Sequence, residues 1–272
     1  MVSIVWRSIP TVLTVEELLD KAFSKAKKAG DAVVDKDRVY RTRKQMTRMV
    51  GSAGDSLSST LIEWVRRWPS LDQMSEFDVA MVEAAVGCDD YRQSLGACQW
   101  AAQKCLEISQ QNAKKLRRMV NLPPMHEARR EAYGRISSIM GRIGGNLDFL
   151  REARDTLRRL PMIDSMEPCL VVAGAPNVGK SALIASMSSG KPEIAAYPFT
   201  TRQLHVGHFE HRRMKYQLVD TPGLLDRPME ERNQIEMQAI AALEHVGDLC
   251  LFLMDPSETG GTSMEEQTNL LN

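Results

Sequence analysis

The residues Gly174-Ala175-Pro176-Asn177-Val178-Gly179-Lys180-Ser181 fit the pattern G-x-x-x-x-G-K-[ST]. Each residue type in that spacing has a task on a phosphate chain. The glycines let backbone N–H groups close around phosphate oxygens where a Cβ would collide. A helix that follows aims its positive end at the same oxygens. Lys180 reaches the β- and γ-phosphates, and the Ser181 hydroxyl ligates magnesium. The chemistry on offer is binding and cleavage of a nucleoside triphosphate with Mg2+.

Two further motifs lie downstream. Asp220-Thr221-Pro222-Gly223 begins 40 residues after Lys180, at the end of a predicted strand. Asp220 would hold the magnesium through a water, and the Gly223 amide would sense the γ-phosphate. By itself D-x-P-G also suits a surface turn, but its place after the phosphate loop favours the phosphate role. Between the two stands Tyr197-Pro198-Phe199-Thr200-Thr201. A GTPase needs a threonine in a mobile loop that binds magnesium when the γ-phosphate is present, and Thr201 is the candidate.

Such motifs need strand, loop and helix in order, and the sequence supplies them after Pro161. Cys169 to Ala173 is a short apolar run, as in a buried parallel strand. Residues 203–209 and 214–219 predict two strands, 248–254 a further buried one, and 180–189 and 233–245 helices. This alternation predicts a parallel α/β sheet.

The first 160 residues read as successive helices. Thr14 and Glu17 have the spacing of a capping box ahead of Leu18, Leu19, Ala22 and Phe23, and Gly30 would end that helix. Helices are predicted over 36–50, over 56–68 with a stop at Pro69, and over 75–86. A long one over 89–120 carries Tyr91, Leu95, Cys98, Ala102 and Cys105 on one face and is broken by Pro123-Pro124. Residues 125–160 are helical again, bent or split at Gly144-Gly145. We therefore expect an α-helical bundle over 1–160, followed over 161–272 by the N-terminal part of an α/β P-loop GTPase domain with an incomplete parallel sheet.

Composition sets the outer limits. The chain is 43% hydrophobic and 26% charged, as soluble globular proteins are. No run reaches the roughly 18 apolar residues of a membrane span, and the N-terminus lacks the apolar core of a secretory signal. An intracellular, cytoplasmic protein without membrane contact is the expectation. The five cysteines (Cys88, Cys98, Cys105, Cys169 and Cys250) include no C-x-x-C pair and read as buried reduced thiols. The 16 methionines read as core filling. His205, His208 and His211 fall on alternate faces of a strand and read as surface histidines rather than a metal site.

Net charge is zero but uneven. Residues 1–165 hold 27 Lys and Arg against 21 Asp and Glu, whereas residues 166–272 hold 8 against 14. Lys36, Arg38, Arg41, Arg43, Lys44 and Arg48 crowd one segment; Lys114, Lys115, Arg117 and Arg118 crowd another. Charge clusters of this kind suit either nucleic acid or solvated helix faces, and the latter group also suits a helix C-terminus.

The combination is more specific than its parts. Tyr197-Pro198-Phe199-Thr200-Thr201, ending 20 residues past Ser181, resembles the Obg group of GTPases. The runs Asp220 to Pro228, Glu231 to Ile240 and Met254-Asp255-Pro256-Ser257-Glu258 resemble the nucleolar GTP-binding protein 1 family, its shorter archaeal members most closely. The likeness extends to Trp6-Arg7-Ser8-Ile9-Pro10 and to Leu157 through Asp164, so it covers essentially the whole chain. It implies a helical domain that docks on ribosomal RNA, followed by a GTPase domain, in a factor for maturation of the large ribosomal subunit. By match to the family motifs, Gly174 to Ala182, Thr201, Asp220 and Gly223 bind nucleotide. Ser181, Thr201 and Asp220 serve magnesium, and Lys180, Thr201, Gly223 and Asn177 serve hydrolysis.

Two departures qualify this. Leu224 stands where Ras-like GTPases carry the glutamine that orients water, so the usual catalytic residue is missing. The Asn-Lys-x-Asp tetrad that reads guanine is absent, and we expect the chain to be a piece of a longer protein. Related G-x-P-N-x-G-K-S loops use the asparagine to hold a potassium ion, which could supply the missing positive charge. Asn177 either does this or fixes the loop by hydrogen bonds to its own backbone. The expected protein is thus a slow GTPase when intact, a monomer that binds GTP and Mg2+, with K+ in addition if Asn177 holds it, and whose partners are rRNA and the large-subunit precursor. A nucleotide-gated RNA-binding scaffold with negligible hydrolysis is the rival reading, and a P-loop ATPase a more distant one.

Overall fold

The computed structural model describes residues 6–160, 163–164, 167–190, 192–196, 203–220 and 246–271. The chain divides into two compact units. One comprises Ile9–Trp68 and Asp89–Arg154, and the other Met1–Ser8, Pro69–Cys88 and Asp155–Asn272. Pro69–Cys88 is grouped with the unit that holds the sheet.

The first unit holds helices α1 (Val15–Asp31), α2 (Arg38–Arg67), most of α4 (Cys88–Arg117), α5 (Leu122–Arg142) and most of α6 (Gly144–Leu157). The capping box forms as its spacing predicts: Thr14 Oγ1 accepts from the Glu17 N–H at 3.3 Å, and the Glu17 carboxylate accepts from the Thr14 N–H at 2.9 Å. Gly30 does not end α1. It lies within the helix, where a Cβ would come 2.5 Å from Met49 Cγ, so α1 needs glycine to approach α2.

The two helices expected over 36–50 and 56–68 are one, because α2 is continuous for 30 residues. Gly51 and Gly54 each cost about 1 kcal/mol of helix propensity, but Met46, Val50, Ala53, Leu57, Leu61 and Trp64 keep one apolar stripe running across them. Burial of each large side chain is worth about 1.5–3 kcal/mol, which overrides the local preference. Pro123 and Pro124 do not merely break α4; they stand in the first turn of α5, where a missing N–H costs nothing. Met46, Met49, Val50, Leu116, Met125, Ala128 and Ala132 form a core shared by α2, α4 and α5, and Phe23 stacks on Tyr133 at 4.2 Å between α1 and α5.

The second unit contains α3 (Glu76–Val86), α7 (Lys180–Met187), α8 (Met264–Leu271) and five strands: β1 (Cys169–Gly174), β2 (Glu193–Ala196), β3 (Gln203–His211), β4 (Met214–Asp220) and β5 (Leu249–Leu253). They form one sheet in the order β2-β3-β4-β1-β5. The half around β1 is parallel as expected, with Val172 beside Asp220 on β4 and Leu251 on β5. The β2 and β3 strands join antiparallel, so the sheet is mixed. The β3–β4 hairpin turns at Arg212 and Arg213, both with positive φ (51° and 66°). A small core of Val172, Ile184 and Leu218 fixes α7 on the sheet.

Four cysteines are buried, but Cys250 is exposed on the edge strand β5, as is Leu249. The expectation of five buried thiols, and of a buried strand over 248–254, is corrected accordingly. Among the described residues no helix is long and apolar enough to cross a membrane.

Candidate functional site

The site begins where β1 ends. Gly174 has φ +139°, and a Cβ there would lie 2.4 Å from the Leu253 carbonyl oxygen of β5. No other residue fits so close to the neighbouring strand, and the sharp exit it allows opens the loop. Ala175 is buried, whereas Pro176 and Asn177 are exposed and Val178 is half-buried. Asn177 sits at φ +60° and Gly179 at φ +97°, and Gly179 caps α7. The loop backbone thus reverses twice before the helix starts, the conformation that gathers N–H groups into an anion cradle.

Lys180 opens α7 and is buried, 8% exposed. Its ammonium donates to the carbonyls of Gly174 at 2.9 Å and Ala175 at 2.7 Å. These bonds hold the charge against the cradle instead of in solvent. Ala182 is exposed in the same first turn.

Ser181 and Asp220 meet. The Ser181 hydroxyl donates to Asp220 Oδ2 at 2.5 Å. Asp220 is 0% exposed, and its Oδ1 is buried without a hydrogen-bond partner among the described residues. A buried carboxylate oxygen left bare is costly, and a cation beside it removes the cost. The donor set of hydroxyl and carboxylate oxygens suits Mg2+, a hard cation that takes oxygen ligands. On this ground Ser181 and Asp220 fit the metal that the loop's chemistry requires. Bound there, Mg2+ would neutralise charge on the phosphates.

Three features of the site were not legible beforehand. His205 is not simply a surface histidine: its Nδ1 lies 3.5 Å from Asp220 Oδ2, because the β3–β4 register sets the two side by side. Behind the loop, Gly260 comes so near that a Cβ would be 3.3 Å from the Pro176 carbonyl, and its own carbonyl accepts from Asn177 Nδ2 at 3.5 Å. The turn carrying Gly260 is pinned by Asp255, whose carboxylate accepts from the Ser257 hydroxyl (2.5 Å) and N–H (2.9 Å), the Thr259 hydroxyl (3.1 Å) and the Gly260 N–H (3.3 Å). The hydrogen bonds from Ser257 hold the Asp255 carboxyl below its ordinary value. Gln267 of α8, 1% exposed, clamps both ends through Asp255 N–H, Asp255 O and Thr262 O. The D-x-S spacing of Asp255 and Ser257 is a turn signal that could have located this wall. The sequence-predicted Thr201, Gly223 and Leu224 lie outside the described residues, as does the helix expected over 233–245.

A mixed sheet, a glycine-rich loop entering a helix, and a serine–aspartate pair at its mouth define a P-loop GTPase-family domain, here preceded by helices. The family pattern described as NOG1 N-terminal helical domain matches residues 6–164, and that described as 50S ribosome-binding GTPase matches residues 169–272. The chain belongs to the nucleolar GTP-binding protein 1 family.

Relatives agree along nearly the whole length. An uncharacterised protein of Methanocaldococcus jannaschii is 35% identical over 98% of this chain and 75% of its own. Proteins named nucleolar GTP-binding protein 1 are 35% identical in Encephalitozoon cuniculi, over 94% of this chain and 49% of that one, and 34% identical in Drosophila melanogaster, over 97% and 41%. The chain therefore spans half or less of these two nucleolar proteins. Their names also correct the expected cytoplasmic location, since they assign the eukaryotic relatives to the nucleolus.

Proposed function

We propose that the chain is part of a slow GTPase acting in biogenesis of the large ribosomal subunit, in which nucleotide state changes the affinity for a pre-ribosomal particle. The observation that carries the proposal is the Ser181–Asp220 pair beside a buried, unpartnered carboxylate oxygen, next to Lys180 in the cradle. Lys180 would bind the β- and γ-phosphates, Ser181 and Asp220 would hold Mg2+, and Thr201 and Gly223 would respond to the γ-phosphate. The family description as a ribosome-binding GTPase supports the large subunit as partner, and the basic helices of residues 1–160 support rRNA contact. Residues 161–272 then form the nucleotide-binding part.

Leu224 leaves the charge of the transition state to another group. Asn177 turns its amide nitrogen to Gly260, which leaves its carbonyl oxygen for a cation and favours the potassium reading over a tie to its own backbone. The test is single-turnover GTP hydrolysis by the intact protein, in matched potassium and sodium salts, with and without large-subunit precursor. Hydrolysis that rises with precursor supports the proposal. Nucleotide-dependent particle binding with no turnover in any condition would instead establish the gated scaffold.

A further inference from the structure

A cleft of about 1160 Å³ in the helical unit is lined by none of the phosphate-loop residues. Its walls come from α1, α2 and α4 and carry Lys25, Arg43, Lys44, Arg48, Lys114 and Arg117. Against these six cations stands one carboxylate in the lining, Asp55. Among the described residues none of Lys25, Lys44, Arg48, Lys114 and Arg117 is in an ion pair with an acidic side chain. Helix faces that are merely solvated mix their signs, so a concave surface of one sign is a site for an anion.

The cleft also has an aromatic group at its rim. Tyr40 is 46% exposed, with the Arg43 guanidinium 5.0 Å and the Lys44 ammonium 5.8 Å from its ring centroid. A flat ring held among cations offers a stacking platform beside phosphate contacts, the combination that single-stranded nucleic acid uses. Ser52, Ser56 and Thr47 place hydroxyls in the lining, that of Thr47 buried and without a hydrogen-bond partner among the described residues, whereas the Ser59 and Ser109 hydroxyls donate to the Ser56 and Leu106 carbonyls. Donors of this kind suit phosphate and ribose oxygens.

We propose that this cleft binds an unpaired stretch of RNA, with a base stacked on Tyr40 and its phosphates on Lys25, Arg48, Lys114 and Arg117. The proposal rests on the reading of the chain as an rRNA-binding factor and names the surface and the RNA form. Sequence had grouped the cations by segment. The structure selects from them, since Lys36, Arg38, Arg41, Lys115 and Arg118 do not line the cleft. It also adds Lys25 from a different helix.

The test uses the full chain and fluorescein-labelled RNA, one single-stranded 12-mer and one fully paired hairpin, by anisotropy at several salt concentrations. Gly51 lines the cleft, and a Cβ there meets nothing within 4 Å, so Gly51→Glu adds a carboxylate to the cleft at a position with room for its Cβ. Expected results are tighter binding of the single strand, loss of about tenfold or more in Gly51→Glu but not Gly51→Ala, and loss of about tenfold in Tyr40→Ala but not Tyr40→Phe. Lys114→Glu should lower the salt slope by about 0.7 for each phosphate released. Control changes at Lys36 and Arg38 should do less. Binding that is unchanged by Gly51→Glu and Tyr40→Ala would overturn the cleft and leave RNA binding elsewhere on the chain. Binding of the hairpin in preference, or displacement of RNA by mononucleotide at micromolar concentration, would replace unpaired RNA as the occupant. Absence of RNA binding at low salt would remove the rRNA reading itself.

Discussion

The Ser181 hydroxyl donates a 2.5 Å hydrogen bond to Asp220 Oδ2 across 39 residues of sequence, from the first turn of α7 to the end of β4. The other oxygen of that carboxylate is buried and has no hydrogen-bond partner among the described residues. An acid in this setting should cost stability without its cation and gain function with it. We therefore expect Asp220→Asn to leave the stability of the nucleotide-free protein unchanged or raised, because a neutral amide replaces a buried charge. The same substitution should weaken Mg2+-dependent nucleotide binding by about ten- to hundredfold, through loss of a charge-assisted contact worth about 1.5–3 kcal/mol. Titration of a fluorescent nucleotide in magnesium and in chelator reads the effect. Wild-type magnesium dependence in the variant would remove Asp220 from the metal site.

Lys180 tests the cradle. Its ammonium donates to the backbone carbonyls of Gly174 and Ala175 and fills no part of the apolar core, so truncation should cost the fold about 1–3 kcal/mol. Triphosphate affinity should fall on the order of hundredfold or more, since a point charge on the β- and γ-phosphates is lost. Calorimetry of Lys180→Ala alongside its melting curve separates the two effects. Near-wild-type affinity in a folded variant would mean that the loop is not the phosphate site.

Gln217 tests the segment that leads into β1. It is 0% exposed; its side chain accepts from the Asp164 N–H at 2.8 Å and donates to Asp164 O at 2.7 Å and Glu167 O at 3.2 Å. Gln217→Leu keeps the volume but removes the side-chain bonds to the Asp164 N–H and the Glu167 carbonyl, whereas the Asp164 carbonyl still accepts from the Glu167 N–H; the loss should be about 1–3 kcal/mol. Urea unfolding with an unchanged slope checks this. A loss under about 0.5 kcal/mol would show that those groups find other partners.

The thiols give a pH signature. Burial pushes Cys98 and Cys169 from 9.0 up to about 12 and Cys105 up to about 11, and partial burial also raises the surface-accessible Cys250 thiol. At neutral pH a thiol reagent should label Cys250 first and the four buried cysteines only on unfolding. The folded state keeps protons that the unfolded chain loses above pH 9, so the stability these groups contribute is intact below about pH 9 and declines as pH rises toward 12. Urea midpoints measured across that window, and compared with Cys98→Ala, check the sign.

The sequence by itself determined whatever is encoded within a few neighbouring residues. The phosphate loop from Gly174 to Ser181 was legible because its glycines, lysine and serine act at fixed local spacing. The start of α1 was legible because Thr14 and Glu17 satisfy each other's backbone within one turn. The parallel strands around β1 could be placed from apolar runs of the right length.

Only the tertiary structure decided who meets whom. Strand periodicity gives a face but names no neighbour, so the register that sets His205 against Asp220 and the order that brings β5 against Gly174 were beyond it. The wall of Gly260 behind Asn177 joins positions 83 apart. The unbroken α2 passes through Gly51 and Gly54 because burial along a whole stripe outweighs two local penalties. The cleft at Tyr40 gathers cations from three helices, and a concave surface is a property of packed elements, which no window of sequence contains.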